Sequence, residues 1–225
     1  MAREGSGVSG RLLAGRWAEG SVLLREFLRA PFRTATVVAS SPALAAAMTD
    51  VVADYDAPVV VELGPGTGAF TRPIQERLGG SGRHIALEIN PQLARPLARR
   101  CSAVEVVEAD ARDLPRTLAV RGLTSCDVVV SGLPWAAMPA TAIHPPLVTV
   151  VAESLADDGV YTQFTYAWSR RLPPARRQLA DLRAHFGEVQ VSSVIWANFP
   201  PAFVYRCRRP LPSIHNGHDP RLRHP

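Results

Sequence analysis

The chain has 225 residues, enough for one large domain, and 47% of them are hydrophobic, ample for a core. Its net charge is +5 and every basic side chain is Arg, which favours an anionic partner, phospholipid or nucleic acid, without choosing between them. Cys101, Cys126 and Cys207 stand far apart with no Cys-x-x-Cys, so no zinc or other metal site is expected, and their odd number points to a reducing compartment. The N-terminus lacks the apolar run of a signal peptide, and no stretch of about 18 apolar residues exists to span a membrane.

Residues 1–19 are rich in Gly, Ser and Arg and read as a disordered N-terminus. Residues 20–56 read as an N-terminal helical extension. On a helical wheel Leu23, Leu24, Phe27 and Leu28 share a face edged by Arg25 and Arg29, the pattern of an interfacial helix. The same face could instead cap the domain, with Arg reaching to solvent. Ser40-Ser41-Pro42 is a helix start, leading into a small-residue helix over 43–53.

From residue 57 to 209 strands and helices alternate, which predicts an α/β domain with a mostly parallel sheet. The expected strands are 59–63, 84–89, 104–108, 126–131 and 160–167, with Asp158-Gly159 as the turn into the last. A final antiparallel pair is expected at 189–196 and 202–208. Helices are expected over 68–78, 91–100, 114–121, 140–156 and 173–186. Residues 210–225 read as a disordered tail, its His residues too irregular for a metal site.

The chemistry gathers at strand ends. The branched run Val59-Val60-Val61 ends in Glu62, and Gly64, Gly66 and Gly68 follow at alternate positions. Glycines there let the backbone turn tightly and approach a ligand. Thr67 or Thr71 can then open a helix whose free N–H groups favour anionic ligand groups. This is a nucleotide-type cofactor loop at the carboxyl end of a first strand. The second strand ends in Glu88, where a carboxylate can accept from two ribose hydroxyls, and the third ends at Asp110. The fourth ends in Ser131-Gly132-Leu133-Pro134-Trp135. There, backbone carbonyls can hold an amine, a proline fixes the backbone, and Trp135 offers either a cation–π face or plain core packing. Tyr166, at the end of the fifth strand, is a candidate for orientation or proton removal, with His144 as a weaker one.

The spacing Glu-x-Gly-x-Gly-x-Gly resembles motif I of S-adenosylmethionine (SAM) dependent methyltransferases. With Leu24 to Pro31, Ser40 to Ala45, Val130 to Trp135 and Val194 to Tyr205, the chain resembles the bacterial soluble phospholipid N-methyltransferase family. That resemblance implies a Rossmann-like class I fold, a seven-stranded mostly parallel sheet with an antiparallel final hairpin and an N-terminal helical extension. It implies SAM held by Glu62, Gly64, Pro65, Gly66, Gly68, Ala69, Phe70 and Thr71, by Glu88 and Ile89 at the ribose, by Asp110 and Ala111 at the adenine, and by Ser131 and Gly132. It places the acceptor beside Leu133, Pro134, Trp135 and Tyr166, and membrane contact at Leu24, Arg25, Phe27, Leu28 and Arg29. The implied activity is stepwise N-methylation of phosphatidylethanolamine towards phosphatidylcholine, with phospholipid as substrate and an anionic membrane surface as partner, on the inner face of the cytoplasmic membrane. The family more usually carries Lys near its N-terminus, which leaves the headgroup open.

Three alternatives stand beside that reading. An rRNA adenine dimethyltransferase has a similar motif I and Glu-Ile-Asn strand, but would show Asn-x-Pro-Tyr at 131–135 and a helical RNA-binding domain, so a nucleic-acid substrate is disfavoured. An ornithine lipid or small-metabolite amine would use the same chemistry. A membrane-surface protein could bind SAM without catalysis. Arg170, Arg171, Arg176 and Arg177 could hold a phosphate or form a solvated helix face.

Overall fold

The computed structural model of the chain describes residues 40–133, 135 and 146–212. Leu24, Arg25, Phe27, Leu28, Arg29, Pro134, His144, the 1–19 segment and the tail from 213 lie outside the described residues.

Helix α1 (Pro42–Thr49) begins as its Ser-Pro start predicts: the Ser41 side chain accepts from Leu44 N at 3.1 Å, and a 3-10 turn (Asp50–Asp54) prolongs it. Then come β1 (Val59–Leu63), α2 (Thr71–Leu78), β2 (Arg83–Glu88), α3 (Pro91–Arg100), β3 (Glu105–Glu108) and α4 (Leu114–Ala119). The chain continues through β4 (Cys126–Ser131), α5 (Leu147–Ser154), β5 (Leu155–Tyr166), α6 (Pro173–His185), β6 (Phe186–Val191) and β7 (Ala202–Pro210).

The seven strands form one sheet in the order β3-β2-β1-β4-β5-β7-β6. Neighbours from β3 to β5 are parallel, and β7 runs antiparallel to both β5 and β6. This is the Rossmann-like α/β fold. Strand order reverses between β1 and β4, which opens a crevice at their carboxyl ends, the place such sheets bind ligands.

Alternation along the strands splits the core between the two faces. Val61, Leu63, Val129, Tyr161, Phe203 and Tyr205 face a core that includes Leu114, Leu118, Val151 and Leu182 from α4, α5 and α6. Val60, Val128, Val130 and Val160 face another, with Leu44 and Met48 from α1 and Ile74 from α2. Burying a side chain of that size contributes about 1.5–3 kcal/mol. A hydrogen bond from Thr162 Oγ1 to Met48 O (2.8 Å) ties α1 to this face.

Several boundaries differ from the sequence expectation, most clearly at α2, β5 and β6. Helix α2 starts at Thr71 rather than 68, because Gly68 (φ 92°) cannot belong to a right-handed helix. Neither Thr67 nor Thr71 caps it; the N-cap is Phe70, with no side-chain cap bond. Strand β5 begins at Leu155, since Leu155 and Val160 pair with Cys126 and Val128, making Asp157-Asp158-Gly159 a bulge rather than a turn. Strand β6 occupies 186–191, and beyond it Ile195 makes only a single bridge to Ala202. Among the described residues no helix is long and apolar enough to cross a membrane.

Candidate active site

The loop from Gly64 to Phe70 sits at the crevice. Its start is pinned by Gly64 N donating to Leu87 O (2.9 Å), while Gly132 N donates to Leu63 O (2.8 Å). The β1 and β4 ends meet so closely that a Cβ on Gly132 would fall 2.7 Å from Gly64 O, so only glycine fits there. Gly66 is the opposite case. At φ 55° its backbone faces open space, with nothing within 4 Å of a built Cβ. Pro65 and Phe70 are buried and anchor the loop on either side of that opening.

Glu88 ends β2 and is only 6% exposed. A carboxylate so placed must be paired, and two backbone donors pair it: Gly66 N to Oε2 at 3.0 Å and Asn90 N to Oε1 at 2.9 Å. Each oxygen keeps lone-pair capacity for a further donor, so a vicinal diol can be received at the loop that Glu88 itself holds. Ile89, next along the chain, is exposed and lies beyond the strand end.

Glu62 is fully buried on β1. Its Oε2 accepts from Thr71 Oγ1 at 2.7 Å and lies 3.2 Å from His84 Nε2, at ion-pair distance but without hydrogen-bond alignment. Gln75 Nε2 lies 2.9 Å from His84 Nδ1. An amide donor there makes Nδ1 the acceptor and leaves the ring proton on Nε2, toward Glu62. Glu62 Oε1 has no partner. A buried carboxylate oxygen left unpaired is costly unless a ligand donor meets it. His84 and Gln75 were not singled out from sequence, although a His inside an apolar strand was the available signal.

Asp110 caps the turn Ala111–Asp113, accepting from Arg112 N at 2.9 Å, and its carboxylate also takes Arg112 Nε at 2.8 Å. Those hydrogen bonds from Arg112 hold the Asp110 carboxyl below its ordinary value. Asp110 therefore reaches this edge already engaged, and Ala111 is half-buried beside it.

At the end of β4, Ser131 is the organiser. Its Oγ accepts from Trp135 Nε1 at 2.9 Å and from Leu133 N at 3.3 Å. Trp135 N donates to Leu133 O (2.9 Å), so one expected amine acceptor is already in use by the chain. The Trp135 ring packs edge-on to Tyr161 (6.2 Å), whose hydroxyl donates to Gln163 Oε1 at 2.7 Å. Tyr166 stands on the other face of the sheet, edge-on to Phe164, which in turn meets Phe70 of the glycine loop. Trp135 and Tyr166 therefore approach the strand ends from opposite faces rather than forming one pair. Burial pushes the Tyr166 phenol up, so near neutral pH it is a hydroxyl that orients rather than a phenolate that removes protons.

The arrangement fits the cofactor the sequence led us to expect. It offers an open glycine turn for close approach, a carboxylate for a ribose diol, and an unpartnered buried carboxylate oxygen for a cationic amino group.

Comparison with known proteins agrees in kind. A family model described as "Methyltransferase domain" matches residues 60–159. The chain is 35% identical over 192 residues to the "Ornithine lipid N-methyltransferase" of Singulisphaera acidiphila, covering 83% of this chain and 94% of the relative. It is 41% identical over 63 residues to the "Ribosomal RNA small subunit methyltransferase A" of a Burkholderia species, but that covers only 28% of this chain and 23% of the relative. Among solved structures, a SAM-dependent O-methyltransferase from Thermotoga maritima superposes with TM-score 0.58 at 12% identity, covering 83% of this chain and 73% of that one, which speaks for the fold.

Proposed function

The chain belongs to the methyltransferase family, and we propose that it N-methylates the primary amine of a lipid headgroup. Its cofactor is SAM, which supplies a methyl group on a positively charged sulfur. Glu88 would hold the ribose, Gly66 and its neighbours would admit the backbone of the amino acid end, and Glu62 Oε1 would face its ammonium.

The remaining work is done by the chain on the acceptor. A primary alkylamine with a pKa near 10.4 is neutral in only roughly one molecule in a thousand at pH 7, and only the neutral form has a lone pair. The half-buried Leu133 and Trp135 surround the β4 end with apolar surface, which disfavours the ammonium and lowers that pKa. Carbonyls of Ser131 and Gly132 would orient the nitrogen, Leu133 O being taken by Trp135 N. The Trp135 indole, fixed by Ser131, presents a face that holds the cationic product. The Tyr166 hydroxyl is a neutral hydrogen-bonding group on the opposite face.

The observation that carries the lipid acceptor is the similarity to the ornithine lipid enzyme over nearly the whole of that relative. An ornithine-type lipid amine is thus the first acceptor to test. Phosphatidylethanolamine is the second, favoured by the Ser131 to Trp135 sequence in place of Asn-x-Pro-Tyr. Methyl transfer from labelled SAM would be measured on vesicles of each lipid and on unmethylated small-subunit rRNA. Labelled lipid is expected. Label in rRNA alone, or tight SAM binding with no labelled lipid, would reject the proposal.

A further inference from the structure

The carboxyl edge of the sheet continues past the site into a surface that the methyl-transfer chemistry leaves unused. Strand β5 is parallel to β4, so Tyr166 ends on the same edge as Ser131. Tyr166 pairs with Ala202, Ala202 bridges to Ile195, and Ala167 N donates to Pro201 O at 2.8 Å. The backbone just after β5 and the β6–β7 connection are therefore neighbours. Together they carry large apolar side chains into solvent: Trp196 is 78% exposed, Phe199 50%, Leu172 44% and Trp168 39%.

The same edge is basic. Arg170 and Arg171 lie between Trp168 and Leu172, and Arg176 and Arg177 follow in the first turns of α6, whose Gln178 meets Thr165 of β5 at 3.2 Å. All four arginines are exposed, and none forms an ion pair among the described residues. Arg170 lies over the Phe203 ring at 5.6 Å. The sequence has no Asp or Glu between Asp158 and Asp181, nor between Glu188 and Asp219. Exposed Trp and Phe beside unpaired Arg, on a stretch cleared of acids, match a boundary that is apolar inside and anionic at its surface.

We propose that this edge docks on an anionic lipid bilayer, with Trp168, Leu172, Trp196 and Phe199 entering the headgroup layer and Arg170, Arg171, Arg176 and Arg177 meeting lipid phosphates. The choice of a membrane over other anionic partners rests on the lipid acceptor proposed above. The docked orientation would turn the mouth beside Ser131 and Trp135 toward the bilayer, where a headgroup amine enters without its lipid leaving the membrane.

The test uses the full chain and sedimentation with vesicles of phosphatidylcholine, with and without phosphatidylglycerol. Two variants are compared with the parent: Trp196→Ser with Phe199→Ser, and a fourfold Arg→Gln change at 170, 171, 176 and 177. Each juxtamembrane Arg contributes about five-fold to partitioning on anionic lipid, so the fourfold variant should lose on the order of several hundred-fold, and the parent should be released by high salt. The aromatic variant should lose about ten-fold or more on both compositions. Melting temperatures should change by no more than a few degrees, because these side chains are exposed and only Arg170 gives up a ring contact. Partitioning equal to the parent in both variants would overturn the proposal, as would RNA binding that the variants abolish while vesicle binding survives. Methyl transfer to a short-chain, water-soluble lipid amine separates the two readings. If the variants keep that activity but lose it on vesicles, both stand. If vesicle binding depends on these residues but no lipid is ever methylated, the surface stands and the acceptor assignment falls.

Discussion

Replacing Glu88 with Ala tests the cofactor assignment, and the structure sets the scale of the effect. The side chain does two jobs. In the protein alone it accepts from Gly66 N at 3.0 Å and Asn90 N at 2.9 Å. Without it both donors need new partners, at about 1–3 kcal/mol each if water cannot reach them. Gly66 borders open space, so water can replace that bond, and the lower end of the range applies. At about 2–4 °C per kcal/mol for a chain of this size, a loss of roughly 2–8 °C in melting temperature is expected, with the fold retained. In the complex, on the cofactor assignment proposed above, Glu88 would also accept two ribose hydroxyls. Two hydrogen bonds to a charged group, at about 1.5–3 kcal/mol each, amount to roughly 3–6 kcal/mol, or about 100- to 10,000-fold in affinity. Calorimetry with SAM and S-adenosylhomocysteine measures this loss, and thermal denaturation measures the stability cost. A SAM affinity within about threefold of the parent would refute the assignment of Glu88 to the ribose.

The other predictions probe the rest of the edge. Ser131→Ala removes the acceptor shared by Trp135 Nε1 and Leu133 N, and should lower turnover by about ten-fold or more while leaving SAM affinity within about threefold, read as kcat against Kd. Tyr166→Phe should slow methylation by no more than about ten-fold with an unchanged pH profile, since burial keeps the phenol neutral; loss of an alkaline limb would instead show that it acts as a base. Hydrogen bonding by Arg112 depresses the Asp110 carboxyl, so its stabilisation is present above the unfolded value near 3.9 and is lost as pH falls through the lower folded value. Arg112→Ala should therefore be slightly less stable than the parent at pH 6, with the difference disappearing in acid once the carboxyl is protonated in both states, as read by denaturant titrations. Burial pushes the thiols of Cys126 and Cys207 well up, so a thiol reagent at pH 8 should modify only half-buried Cys101 in the native chain and all three after denaturation.

What could be read from the residues divides along a physical line. Elements set by local chemistry were legible. Three consecutive valines mark each of β1 and β4, and Asn90-Pro91 opens α3, with the Asn90 side chain accepting from Gln92 N. Elements set by partners were not. Asp157-Asp158-Gly159 has the composition of a turn, but the register against Cys126 and Val128 absorbs it as a bulge. Ser192 to Trp196 has the branched residues of a strand, yet the chain leaves the ladder there and carries Trp196 into solvent. The site divides in the same way. Acids at the ends of β1 and β2 and the alternating glycines announce a cofactor loop, because spacing alone brings them to one edge. What the spacing hides is that Glu88 holds the loop by Gly66 N, a bond spanning 22 residues. It also hides that Glu62 is partnered from two other elements, by Thr71 at the start of α2 and by His84 in β2. That second contact follows from the register: Val60 lies opposite His84 and Glu62 opposite Ala86, so His84 and Glu62 are diagonal neighbours in adjacent parallel strands. A lone polar residue in a buried strand acquires its meaning from the strand beside it, and that neighbour is fixed only once the sheet order is known.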